Sequence, residues 1–192
     1  MNQRMIRGLA LALCSLLLSA CSHSNNKPTP TNQYQWPSPA ELGFNLNAEQ
    51  VIQAQYGEQQ VLLPLALEVN QTQLVVIGFS NWGTRVFSLE WNGKDLASEA
   101  IQLPNITLPP PSEVLNDIFL ALWPAESLAP MLQAKSWTLH DSAQRREIIQ
   151  ADGKPVMTID YHQAKATGGW LKVYNHQRNF QYQLNTIAWD QS

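Results

Sequence analysis

"VVIGFSNWGTRVFSLEWNG" (Val75–Gly93) is a pair of apolar runs, rich in β-branched and aromatic residues, on either side of a polar turn. The second run alternates, so that an extended chain puts Phe87, Leu89 and Trp91 on one face and Val86, Ser88 and Glu90 on the other. Asn92-Gly93 closes it with a dipeptide suited to a tight hairpin turn. The same signature lies on both sides. Upstream, "QVLLPLALEV" (Gln60–Val69) reads as a strand joined to Val75 by the polar turn "NQTQ"; Pro64 within it predicts an edge position or a bulge. Downstream, "WTLHD", "RREIIQADGKPVMTIDYH" folded at Asp152-Gly153, and "WLKVYNHQRNFQYQLNTIAW" folded near Asn175 to Arg178 read as further antiparallel strands.

One segment breaks the pattern. In "LPNITLPPPSEVLNDIFLALWP" the three prolines 109–111 exclude regular structure, and Ser112 can cap a helix. Val114, Leu115, Ile118, Phe119 and Leu122 then recur at helical spacing until Pro124 ends the run. Such a helix, apolar over most of its circumference, calls for burial against a sheet. A second short helix follows through "AESLAPMLQ". Strands, a helical insertion and strands again predict an α+β fold, one antiparallel sheet with helices on one face.

The amino-terminal segment is organised differently. Arg4 and Arg7 precede an apolar stretch from Leu9 to Leu18 and the small residues Ser19 and Ala20, the layout of a secretory signal too short to span a membrane. "LSAC" (Leu18–Cys21) resembles the lipobox of bacterial lipoproteins, which implies cleavage before Cys21 and acylation of its thiol. Two or more acyl chains hold a protein stably on a bilayer. The chain has two cysteines, and Cys14 lies in the segment expected to be removed; no disulfide or cysteine metal site can form within the mature chain. Ser22, where an aspartate would signal inner-membrane retention in lipoproteins of enteric-type bacteria, implies the outer membrane. Residues 1–20 carry two arginines and no acid, so their loss takes the net charge from −3 to −5, which argues against a nucleic-acid partner. Residues 21–41, rich in Asn, Pro, Ser and Thr, read as a lipidated tether, with Trp36 available to pack on the domain that fills 42–192.

The order of elements resembles the lipoprotein carriers and receptors of the Lol system, in particular the outer-membrane receptor LolB. "VVIGFSNWGTRVFSLEWNG" looks like two of that receptor's strands, "VLNDIFLALWP" like its central helix, and "REIIQADGKPVMTIDY" with the final hairpin ending at Trp189 like its closing strands. The chain also resembles a family of proteobacterial lipoproteins of unknown function, some encoded beside polyene-pigment and fatty-acid-type synthesis clusters. The Lol resemblance implies a curved antiparallel half-barrel, closed by helices around an apolar cavity.

It also implies residue roles. Trp82 matches the position at which the receptor's loop projects an apolar side chain toward the membrane; an indole on a polar turn suits the interface, and the alternative is a ring folded back onto the sheet. The expected cavity lining is Val75, Ile77, Phe87, Leu89, Trp91, Ile118, Phe119, Leu122, Met157, Ile159 and Tyr161. Arg85 belongs to the same face by alternation, at the rim or snorkelling at the strand end. A slip of one residue would exchange the faces.

Catalysis finds little support. His23, His140, His162 and His176 lack metal-ligand spacing, and no GxSxG, phosphate loop or dinucleotide fingerprint occurs. The sequence therefore predicts a non-enzymatic outer-membrane lipoprotein without metal or cofactor. It would bind or transfer a lipid, a lipoprotein's acyl chains or a polyene-like product, and exchange it with a periplasmic carrier protein. The alternative is an interaction or structural module with a filled core.

Overall fold

A computed structural model describes residues 35–56, 59–101, 108–163 and 168–192; Cys21, the segment 1–20 and most of the expected tether lie outside them. A 3₁₀ turn at Pro39–Leu42 leads into β1 (Leu46–Tyr56), β2 (Gln59–Val69), β3 (Leu74–Phe79), β4 (Arg85–Trp91) and β5 (Leu96–Ala100). Helices α1 (Pro111–Leu122) and α2 (Ala125–Ala134) follow, then β6 (Trp137–Asp141), β7 (Arg145–Gln150), β8 (Pro155–Tyr161), β9 (Trp170–Asn175) and β10 (Phe180–Gln191). These strands form one sheet in the order β5-β4-β3-β2-β1-β10-β9-β8-β7-β6, every neighbouring pair antiparallel.

That topology corrects the expected half-barrel. The sheet is open, neither closed into a barrel nor strongly curled, and β5 and β6 are its two free edges. Alternation of apolar residues fixes which face a side chain occupies; curvature depends on bulges and glycine kinks. Among the described residues the register shifts at three places, Glu49/Gln50, Gly78/Phe79 and Ile148/Ile149. β2 lies inside the sheet, not at an edge. Its ladder with β3 begins at Leu65, immediately after Pro64, so the missing proline N–H falls outside that ladder.

α1 opens with Pro111 at its first position, where the absent N–H would have had no partner, and not at Ser112. Both helices cover one face of the sheet. The core between them includes Leu74, Leu89, Leu115, Phe119, Trp123, Leu128, Met131, Ile148 and Ile159, all essentially inaccessible. Trp36 and Trp91 meet edge to face at 5.2 Å, and Phe119 and Trp123 at 4.8 Å. Three indole N–H groups pin the entering chain: Trp36 donates to Asn116 Oδ1 (2.8 Å), Trp91 to the Pro37 carbonyl (3.0 Å) and Trp123 to the Ser38 carbonyl (3.1 Å). The last residues of the stretch read as tether thus belong to the packed domain.

Candidate functional site

The β3–β4 turn is held by its own polar groups. The Ser80 and Gly83 N–H groups donate to the Thr84 and Ser80 carbonyls at 2.8 and 2.9 Å, and Ser80 Oγ accepts from the Trp82 and Thr84 N–H groups. Gly83 takes φ +78°, a conformation glycine adopts without the steric cost of a Cβ. The turn directs Trp82 away from the sheet, where its ring is 94% exposed. Leu62 and Ile101, at the same end of the sheet, are about half exposed. The chain enters the domain at the other end, where Gly93 lies beside Ser38 and Pro39. Seven residues of β4 separate the two ends, roughly 20 Å.

The residues expected to line a cavity are divided between two faces. Phe87, Leu89, Trp91, Met157, Ile159 and Tyr161 point toward the helices and meet Ile118, Phe119 and Leu122 in the packed core. Val75 and Ile77 point the opposite way, since Val75 pairs with Glu90 and Ile77 with Ser88. Arg85 also leaves the core face. Val86 is an extra residue opposite Gly78/Phe79, so the alternation reverses there, and Arg85 emerges beside Glu99 with an N···O distance of 2.9 Å. Gly78 leaves the space that the Phe87 ring fills.

Two hollows mark the face remote from the helices. One, of about 300 Å³, has an apolar floor of Ala66, Val75, Ile77 and Ala188 with Glu49, Glu68 and Asp190 around it. The other, about 500 Å³, spans β2, β1, β10 and β9 and is lined by Gln53, Gln60, Lys172, Tyr174, Gln181 and Gln183, with Ala54 and Tyr182. The sequence reading missed this second hollow; its residues come from segments more than a hundred positions apart, and nothing local marks them.

Charged groups on the helix face serve the fold. Arg146, only 2% exposed, forks onto Asp141 at 3.1 and 3.2 Å and donates to the Leu120 carbonyl at 2.8 Å. Tyr161 Oη donates to the Ala121 carbonyl at 2.7 Å, and burial pushes its phenol well up. Arg178 bridges Glu113 (2.8 Å) and Asp117 (2.7 Å), tying α1 to the β9–β10 turn. Burial lifts the Asp117 carboxyl to about 6, against the pull of Arg178. His162 stacks on Trp170, and His176 Nε2 lies 2.9 Å from Thr158 Oγ1. Among the described residues no group of three or more His, Cys, Asp or Glu is placed to hold a metal, and no helix is long and apolar enough to cross a membrane.

A family model described as "Protein of unknown function (DUF3261)" matches residues 47–188, from β1 to β10. The chain belongs to the DUF3261 family. The match takes in the Trp82 turn and the larger hollow. This DUF3261 chain is also distantly similar to a crystal structure described as that of an outer membrane lipoprotein-sorting protein domain from Vibrio parahaemolyticus. The identity is 10% and the TM-score 0.42, covering 77% of this chain and 85% of that one. No curated protein matches it in sequence.

Proposed function

We propose that the chain is an outer-membrane lipoprotein, lipidated at Cys21, whose domain engages a lipid surface at its Trp82 end and the acyl chains of lipoprotein cargo on the face remote from the helices. The observation that carries this reading is the Trp82 ring, 94% exposed on a turn whose backbone is organised by Ser80. Leaving an indole in water costs free energy that a bilayer interface returns, with its N–H still hydrated. Roughly fifteen residues link Cys21 to Trp36, and a chain of that length extends at most about 50 Å, enough for the far end of the domain to reach the leaflet that holds the lipid. An apolar ligand finds its contact at the hollow under Val75 and Ile77, since the helix face is packed.

Trp82→Asp is expected to weaken insertion by about 2 kcal/mol, roughly thirtyfold in partitioning, without changing the unfolding midpoint. The measurement is quenching of tryptophan fluorescence by brominated lipids, with the lipidated protein reconstituted in vesicles. Wild type and variant giving the same quenchable fraction would refute the membrane role of Trp82. The filled interior favours a second reading, a non-catalytic interaction module of the envelope. Lipidomic mass spectrometry separates the two: lipid retained by protein purified from its native envelope supports handling of cargo, and a lipid-free domain supports the module.

A further inference from the structure

The larger hollow has a chemistry that neither membrane docking nor an apolar ligand uses. Its six polar lining residues sit on the face remote from the helices, in cross-strand register: Gln53 opposite Gln183, Gln183 opposite Lys172, and Gln181 opposite Tyr174, with Gln60 on the neighbouring β2. Among the described residues no carboxylate lines it, and Lys172 is its one charge. Asp160, the cross-strand neighbour of Lys172, is held by Arg145 at 2.6 Å. Gln183 Nε2 donates to Asn185, while the amides of Gln53, Gln60 and Gln181 bond to no other described side chain. Tyr174, 43% exposed, lies at the margin with its ring stacked beside that of His176 at 6.3 Å between centroids.

We infer that this hollow binds an oligosaccharide. A primary amide offers two donors and an acceptor, the complement of a pair of vicinal hydroxyls that each donate and accept. An exposed tyrosine ring gives the apolar C–H face of a pyranose a flat surface to lie on, with its own hydroxyl free to bond. The polar lining disfavours an acyl chain, which needs apolar walls. A single ammonium in an acidic protein disfavours nucleic acid. Lys172 supplies N–H donors to ring or hydroxyl oxygens, and accommodates one acidic substituent. The four strands crossed set a width of about 14 Å, room for more than one sugar ring.

The test uses the full lipidated protein in detergent micelles and three probes: an N-acetylglucosamine hexamer, maltohexaose and delipidated lipopolysaccharide core oligosaccharide. Saturation-transfer NMR and calorimetry measure binding; co-sedimentation with isolated peptidoglycan sacculi adds a fourth arm. Saturable binding to any one of them is expected, and which one binds identifies the source. Tyr174→Ala and the double variant Gln53→Ala/Gln183→Ala should each lower the affinity at least tenfold, with the unfolding midpoint unchanged. Trp82→Asp should leave sugar binding intact, which separates this site from the proposed membrane contact. No saturable binding in any arm, or binding that survives Tyr174→Ala at full strength, overturns the inference.

Discussion

Arg146→Ala should destabilise the domain by about 3–5 kcal/mol, the range for removing one partner of a buried ion pair. The side chain is only 3% exposed, projects from β7 into the helix-facing core and meets two demands there. Its fork takes both oxygens of Asp141 on β6, and its remaining amine takes the Leu120 carbonyl in the last turn of α1. The final carbonyls of a helix have no partner within it, and here Pro124 stops the chain from supplying a further turn. Arg146 and Tyr161 supply those partners from the sheet, and the positive charge sits where the helix dipole favours it. Alanine would leave the Leu120 carbonyl dry, Asp141 without its guanidinium and a void between sheet and helix. Lysine keeps the charge but loses the planar fork, so Arg146→Lys should fall between alanine and wild type. Urea unfolding monitored by circular dichroism measures the loss. A change under 1 kcal/mol for Arg146→Ala would show that α1 does not depend on this contact.

How much of this was legible in the sequence depends on where the information resides. The β3–β4 hairpin could be read because Phe87, Leu89 and Trp91 alternate with polar residues and Asn92-Gly93 marks the turn. Helix α1 could be read because its apolar spacing is unambiguous. β1 escaped notice: its helix-facing residues include Ala48, Gln50 and Ala54, and its other face carries Val51, so neither periodicity nor polarity separates the two sides. β5 escaped because "LASEA" is a short edge strand whose burial is confined to Leu96. Arg85 was assigned to the wrong side because one extra residue, Val86, reverses the alternation, and a bulge leaves no mark in apolar spacing. The same limit applies to the shape of the sheet. Trp82 stood out as an aromatic on a polar turn, whereas the glutamine-lined hollow exists only once β2, β1, β10 and β9 are adjacent.

The Asp117 cluster makes stability depend on pH in a direction opposite to that of an ordinary salt-bridged carboxylate. Asp117 lies on α1 with a side chain 12% exposed; Arg178 bonds both of its oxygens, Tyr182 donates at 3.4 Å, and Glu113 shares the same guanidinium. Desolvation outweighs the attraction of Arg178, and the carboxyl titrates at about 6 in the folded protein against 3.8 as its ordinary value. The folded state therefore binds the proton more tightly than the unfolded chain does. Its stabilising effect is complete below about pH 4 and is lost as the pH rises through 6. This difference in proton affinity corresponds to about 3 kcal/mol in all, of which about 2 kcal/mol should disappear between pH 4.5 and 7.5. Asp117→Asn removes the titrating group while keeping its shape, so the difference between wild-type and variant unfolding free energies across that range isolates the contribution. Arg178→Ala removes the main influence that lowers the carboxyl, so the loss should move to higher pH, and α1 should come free of the β9–β10 turn. Wild-type and Asp117→Asn curves that run parallel from pH 4.5 to 7.5 would mean that the guanidinium compensates the buried carboxylate fully, and that the contact between α1 and the sheet is insensitive to pH.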